Sequence, residues 1–289
     1  MNKEILVIGG DRRQIFAAQE LLELGFNVKI SGFDDYDTGC VEKVTADKFS
    51  EAVAAANVLV LPYPATRDGK TVTSASNDGV MLGKLTAMLK NYHTVFAGML
   101  SERWKNAMAE RCGKVYDYSA RSDLTMMNAV PTAQGVLKTL FNNIEYTVYS
   151  SSAAVTGYGK TAKIIAKYFD ALGADVTVFA RDPGAVSEAE CFGYKAFGMN
   201  FLKEKASDFD IFINTVPAML IDSAVISEMK QSAVIIDIAS APFGTDFAAA
   251  RASGIMALQA GSLPGKTAPV SAGRIIARII SSLLGGESE

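Results

Sequence analysis

Ala153-Ala154-Val155-Thr156-Gly157-Tyr158-Gly159-Lys160-Thr161-Ala162 is the stretch that decides the fold. A short apolar run predicts a strand over 153–156, and an amphipathic pattern predicts a helix that opens at the two glycines and runs to Leu172. In such a turn Gly157 permits the tight bend, Gly159 removes a Cβ where a pyrophosphate must approach the backbone, and Ala162 lets helix and strand pack closely. The helix N-terminus presents free N–H groups to phosphates. A second strand is predicted over 175–179, about twenty residues on, which completes the strand-turn-helix-strand unit of a dinucleotide-binding, Rossmann-like fold.

Outward from this unit the alternation continues in both directions. Further strands are predicted at 211–214, 234–237 and 255–258. Toward the N-terminus, strands are predicted at 5–8, 28–30, 58–61, 94–97 and 115–116, with helices near 14–24, 49–56, 81–89 and 102–111 between them. Short, fully apolar strands separated by amphipathic helices imply parallel sheets covered on both faces. The fold class is therefore α/β, with two open parallel-sheet domains and a cleft between them, bridged by two helices. We expect a flavodoxin/Rossmann-like substrate domain over 1–127 and a nucleotide-binding domain over 128–271, entered through a linker helix over 128–142. A C-terminal helix over 272–289 is expected to pack back across the boundary. The helix around 126–141 should carry Pro131 near its first turn, where a missing N–H is harmless. The loop from Pro62 to Gly79 has no periodicity and is long for a compact domain.

Of 289 residues, 28 are basic and 31 acidic, and 49% are apolar. That balance excludes a disordered tail and a polybasic nucleic-acid binder, and the length suits two domains with separate cores. Three well-separated cysteines, Cys40, Cys112 and Cys191, offer neither a disulfide framework nor a clustered metal site. The first apolar run ends at Gly9-Gly10, too early for a signal peptide or a membrane span, so the expected setting is the cytoplasm. An acidic-to-neutral surface leaves a homo-oligomer open.

Where the second strand ends, an NAD enzyme places a carboxylate for the ribose hydroxyls. Here that position is Ala180, followed by Arg181, whose guanidinium suits a 2′-phosphate, so NADP is expected over NAD. A register shift of two residues would put Asp182 there instead. Ligands in open α/β sheets lie beyond the carboxyl ends of the strands, which selects Thr215-Val216-Pro217, Ala239-Ser240 and Ser262-Leu263-Pro264-Gly265-Lys266. In the first domain, Arg12 and Arg13 sit where a helix N-terminus and a guanidinium could together hold a carboxylate. The single histidine, His93, precedes its strand at the end away from ligands. It is expected to be structural, which argues against a histidine base and against a Ser-His-Asp triad.

Five motifs form an ordered set. They are Gly9-Gly10-Asp11-Arg12-Arg13-Gln14, Ala129-Val130-Pro131-Thr132-Ala133-Gln134-Gly135, Gly157-Tyr158-Gly159-Lys160-Thr161-Ala162, Asn214-Thr215-Val216-Pro217-Ala218 and Leu263-Pro264-Gly265-Lys266-Thr267-Ala268-Pro269. In these the chain resembles the dipicolinate synthase A-subunit family over nearly its whole length. The resemblance implies NADP-linked oxidation of dihydrodipicolinate to pyridine-2,6-dicarboxylate in sporulating bacteria, with the synthase's flavoprotein-like B-subunit as partner. Three positions depart from the family pattern: Gln134 stands where an acid is usual, Ala162 where a third glycine is, and Ser271 where threonine is.

For that reaction the nicotinamide is expected near Thr215-Val216-Pro217 and Ala239-Ser240. Arg12, Lys266, Thr132 and Ser262 are the candidates to hold and turn over a small dicarboxylate. Lys266 would also handle a proton if burial lowered its pKa. Two other readings stay open: another two-domain NAD(P) dehydrogenase, of the amino-acid dehydrogenase or homocysteine-hydrolase type, and a non-catalytic nucleotide-binding subunit.

Overall fold

A computed structural model of the protein describes residues 3–76 and 79–285. Asn77 and Asp78 of the long loop, the first two residues, and those after Gly285 lie outside the described residues. The chain divides into two compact units, one comprising residues up to Met127 together with those from Ala268 onward, the other Asn128–Thr267.

The N-terminal unit runs β1 (Glu4–Ile8), α1 (Arg12–Glu23), β2 (Asn27–Ser31), β3 (Glu42–Val44), α2 (Phe49–Ala55), β4 (Val58–Val60), α3 (Leu82–Met88), β5 (Thr94–Ala97), α4 (Glu102–Ala109) and β6 (Lys114–Asp117). α5 (Ser122–Phe141) leads into the second unit, with β7 (Ser152–Thr156), α6 (Lys160–Ala171), β8 (Asp175–Ala180), α7 (Pro183–Cys191), β9 (Lys195–Gly198), β10 (Ile211–Asn214), α8 (Ser223–Ile226), β11 (Val234–Asp237), α9 (Phe247–Ala252), β12 (Met256–Gln259) and α10 (Leu263–Thr267). α11 (Pro269–Gly285) then returns to the first unit.

Both sheets are wholly parallel and share one strand order, β3-β2-β1-β4-β5-β6 and β12-β11-β10-β7-β8-β9. Read from the other edge, the second is β9-β8-β7-β10-β11-β12, the doubly wound Rossmann arrangement of the first. Side chains alternate across each strand, so the sheets bury both faces. On β1, Ile5 and Val7 join the core of α1 and α11, while Leu6 and Ile8 join that of α2 and α3. On β7, Ala153 and Val155 pack with Val136, Leu140, Ile165 and Phe169 of α5 and α6, and Ala154 packs with Phe179, Phe212 and Val225 on the other side.

Three sequence expectations change. Each sheet has a sixth strand, β3 and β9, that the apolar-run reading passes over. Both pair on one side only and carry the short, charged or glycine-ended sequences Glu-Lys-Val and Lys-Ala-Phe-Gly that suit an edge. α5 begins at Ser122, so Pro131 lies inside the helix instead of in its first turn. Its missing N–H breaks the helical ladder there, and Thr132 Oγ1 donates to Asn128 O at 2.7 Å in the same turn. The long loop is not structureless: Thr66 bridges Val72 and Thr71 bridges Met81, both antiparallel. Asp68 Oδ1 accepts from the N–H groups of Lys70 and Thr71, both at 2.8 Å. Those two N–H bonds, with the hydroxyls of Thr71 and Thr66, hold its carboxyl well below the usual range. Among the described residues, no helix is long and apolar enough to cross a membrane.

Candidate functional site

The turn after β7 is built for close approach. Gly157 has φ +90°, and a Cβ there would lie 2.5 Å from Thr215 Oγ1 and 2.9 Å from Val216 Cγ2. Its N–H donates to Phe179 O at 2.7 Å, which pins the turn to the end of β8. Gly159 is the N-cap of α6, with no capping side chain, and open space lies where its Cβ would project. The first ladder bond of the helix is Lys163 N–H to Gly159 O at 3.0 Å. The earlier N–H groups of a helix have no acceptor within it, so this end offers donors over a bare backbone. Ala162, buried one turn in, sits with Val155 in the same core. The residues fit a dinucleotide pyrophosphate.

The side chains of this motif differ in use. Tyr158 packs against Val178, Ala180 and Ala189 and stands edge-on to Tyr194, with its ring centroid 6.4 Å away. Burial, aided by Tyr194 and Glu188, pushes its phenol up to about 12. Its side chain is therefore committed to the packing of this unit. Lys160 is exposed at the first position of α6, and Thr161 turns toward the cavity described below. β8 ends at Ala180, and Arg181 follows, exposed and without a partner among the described residues. Asp182, the alternative acid, is engaged as the N-cap of α7, where its Oδ2 accepts from Ala185 N at 3.1 Å ahead of Pro183.

Beyond the strand ends of this unit lies a cavity of about 270 Å³. Its walls include Thr132, Thr161, Thr215, Pro217, Ala239, Ser240 and Ser262, all selected from the sequence, together with Ile238, Ala260, Leu263 and Pro264. Ligand pockets run upward from roughly 300 Å³, so this one suits a ring with its substituents and not a whole dinucleotide. Thr215 Oγ1 donates to Thr156 O at 2.7 Å, and Thr132 Oγ1 to Asn128 O, so both hydroxyls are oriented with lone pairs to spare. Ser262 holds φ +59° at the entry to α10.

Two buried polar residues shape these walls. Asn214 Oδ1 accepts from Thr156 Oγ1 at 2.7 Å and from Val216 N at 3.1 Å, while its Nδ2 donates to Val216 O at 3.0 Å. That clamp sets the Thr215-Val216-Pro217 turn, with Val216 against Gly157. Asp237 accepts from Ala239 N and Gly244 N, each at 2.9 Å, and so fixes the Ala239-Ser240 segment. Sequence reasoning passed over Asp237, although a lone carboxylate closing the run Val-Ile-Ile-Asp is a visible signal.

Other candidates lie elsewhere. Lys266 is exposed on α10 and is not among the residues around the cavity, so the burial that a proton-handling role called for is absent. Arg12 belongs to the N-terminal unit, exposed on the first turn of α1 with its guanidinium 5.8 Å from the Phe16 ring centroid. Its neighbour Arg13 is buried, paired in two-pronged fashion with Asp11 and donating to Tyr63 O at 2.6 Å. His93 is fully buried: Nδ1 accepts from Lys90 N at 2.8 Å and Nε2 donates to Val53 O at 2.9 Å. Among the described residues, no cluster of three or more metal-ligating side chains forms.

Comparison with known proteins follows the same division of the chain. Residues 4–119 match the family described as the N-terminal domain of the dipicolinate synthase A-subunit, and residues 129–252 match the NAD-binding domain of D-isomer specific 2-hydroxyacid dehydrogenases. Over 283 residues, 97% of this chain and 95% of the relative, the sequence is 36% identical to the dipicolinate synthase A-subunit of Bacillus subtilis strain 168. The crystal structure of the dipicolinate synthase A-subunit from Bacillus halodurans aligns with a TM-score of 0.88 at 30% identity, covering 98% of each chain. That of its Bacillus subtilis counterpart aligns with a TM-score of 0.86 at 34% identity, covering 99% of this chain and 97% of that one.

Proposed function

Because the chain belongs to the dipicolinate synthase A-subunit family and carries an NAD-binding dehydrogenase domain, we propose that it oxidises dihydrodipicolinate to pyridine-2,6-dicarboxylate with NADP. The observation that carries this reading is the hydroxyl-rimmed cavity at the strand ends beside the Gly157–Gly159 turn. The dihydropyridine loses one hydride and one proton and becomes aromatic, so placing the ring matters more than a strong base. The oxidised nicotinamide, when bound, supplies the hydride acceptor.

The chain's own residues bind and orient. Gly157, Gly159 and the start of α6, including the Lys160 and Thr161 backbone, hold the pyrophosphate. Arg181, free beyond β8 with Asp182 engaged as a cap, favours the 2′-phosphate of NADP over NAD. Thr215 to Pro217 and Ala239-Ser240 line the nicotinamide side, and Thr132 and Ser262 hydrogen-bond the substrate. Lys266 and Arg12 are proposed as partners of its carboxylates on their charge and exposure alone. The physiological partner in this reading is the flavoprotein-like B-subunit of the same synthase, in the cytoplasm of a sporulating cell.

The test is pyridine-2,6-dicarboxylate formation, followed by terbium luminescence, from enzymatically generated dihydrodipicolinate with NADP or NAD. Signal with NADP and no added partner is expected. Cofactor binding without turnover, whether or not the B-subunit is added, would leave a protein that binds the nucleotide without catalysis, and oxidation of amino acids instead would make it a different dehydrogenase. Lys266→Ala and Arg12→Ala should each lower kcat about tenfold or more, at an unchanged Kd for the nucleotide, because each removes a charge-assisted contact to a carboxylate. Unchanged turnover in both variants would remove these two residues from the site.

A further inference from the structure

Among the described residues a second cavity, of about 300 Å³, opens at the C-terminal ends of β1, β2 and β3 in the N-terminal unit. Nothing in the proposed reaction uses it. Its meaning comes from matching the two units through their shared strand order. Ile8 of β1 faces Ser31 of β2, and Thr156 of β7 faces Phe179 of β8. Gly9 therefore corresponds to Gly157. Both have positive φ, +64° and +90°, and both N–H groups donate to the facing carbonyl, Ser31 O at 2.9 Å and Phe179 O at 2.7 Å. Two residues on, Asp11 corresponds to Gly159 as helix N-cap, and Gln14 to Ala162 at the third helical position.

These two replacements fill the place where the other unit leaves room for phosphates. Asp11 Oδ1 accepts from Arg13 N at 3.0 Å, and its carboxylate meets the Arg13 guanidinium at 2.9 and 2.8 Å. Gln14 is fully buried and occupies the hollow over Gly10, where a Cβ would lie 2.6 Å from its Oε1. An anion and its counter-charge are thus already in place. The remaining half of the nucleotide frame, at the end of β2 where this fold carries the ribose, is open. Val44, Phe49, Val72, Val80 and Met81 supply apolar walls, and Gly9 and Gly32 bring bare backbone to them. Two charged side chains border the cavity: Asp34, three residues past β2, whose carboxylate has no partner among the described residues, and Lys84 of α3, which is exposed, whereas Asp11 and Gln14 fill the phosphate position itself; Ser31 and Ser74 add hydroxyls.

We propose that this cavity binds a nucleoside lacking a 5′-phosphate, with its ribose hydroxyls donating to Asp34 and its base among the apolar side chains. The frame is that of a mononucleotide half-site, and Asp11 and Gln14 exclude the phosphate. The experiment is calorimetric titration of the full-length protein, in excess NADP, with adenosine, guanosine, cytidine and uridine, and with the matching 5′-monophosphates. One nucleoside is expected to bind at one site per chain, at least about tenfold tighter than its monophosphate. Ala46→Trp, at an exposed wall position, should abolish this binding while NADP binding is unchanged, and Asp34→Asn should weaken it about tenfold. No saturable binding of any of the four up to about 10 mM, equal affinity for the monophosphate, or binding that survives Ala46→Trp would each overturn the proposal. Because the readout is binding, failure of the dehydrogenase reading leaves this result intact.

Discussion

In the proposed reading, cofactor choice rests on a single guanidinium just past β8. Arg181 is exposed and unpaired among the described residues, while Asp182 is held by Ala185 N, so a 2′-phosphate would meet a cation and no free acid. A hydrogen bond to a charged group is worth about 1.5–3 kcal/mol, so Arg181→Ala should raise KM for NADP by about tenfold or more and leave KM for NAD within about twofold. Steady-state kinetics with both cofactors checks this, and an equal loss for both would place Arg181 outside the phosphate site. His93 illustrates the opposite case, a titratable side chain spent on the fold. Burial pushes its pKa down, against the partial support of the Val53 carbonyl. In the unfolded chain it protonates near about 6.5, so unfolding takes up a proton below that pH. The stability held above that pH is then lost as pH falls toward the depressed folded value. Nitrogen NMR of the folded protein should show one imidazole, protonated on Nε2 and not titrating near neutrality. Wild type should lose more stability than His93→Gln between pH 7 and 5 in denaturant titrations. An imidazole that titrates near 6.5 would contradict the buried geometry. That His93 lay at the end of its strand away from ligands was legible from sequence order. That Arg13 is committed to Asp11 while Arg12 is exposed was not, because adjacent residues on a helix face different directions and only packing decides which is buried.

At the scale of elements, the cavity depends on how closely α5 meets α10. Gly135 makes that contact: a Cβ there would lie 2.7 Å from Leu263 Cβ and 3.1 Å from Thr267 Oγ1. Gly135→Ala should therefore displace the segment carrying Ser262 to Lys266 and cost about 1–3 kcal/mol through overpacking. The expected signature is a fall in kcat with the Kd for the nucleotide unchanged, because Gly157, Gly159 and α6 are untouched. An unchanged kcat would show that α10 does not shape the reacting part of the site. The existence of these elements was readable wherever periodicity was strong. β10 and β11 fall on 211–214 and 234–237, as the apolar runs predict. The misses have physical causes. Edge strands β3 and β9 need little apolar sequence because one side has no strand partner, and α5 tolerates Pro131 in its interior because packing on both sides of the break holds the helix, which local propensity cannot report.

At the scale of the whole molecule, one topology occurs twice with unequal chain continuity. The nucleotide unit is a single stretch, 128–267, with its own core. The N-terminal unit is discontinuous: Ile276, Ile279, Ile280 and Leu284 of α11 complete the core of β1, β2 and α1. Gly273 lets that helix approach closely, since a Cβ there would sit 2.5 Å from Arg13 O and 2.7 Å from Phe16 Cβ. Burying each large aliphatic side chain contributes about 1.5–3 kcal/mol, so the four together rival the 5–15 kcal/mol that holds a typical domain. A segment spanning 128–267 should therefore fold by itself, with a cooperative thermal transition that rises when NADP is added. A chain ending at residue 267 should keep that transition and lose the one belonging to the N-terminal unit. Calorimetry of these two shortened chains beside the full-length protein tests both statements. If the chain ending at 267 retained both transitions, α11 would be an accessory to the first unit's core and not part of it. If 128–267 failed to fold, the nucleotide unit would depend on residues outside its own sequence.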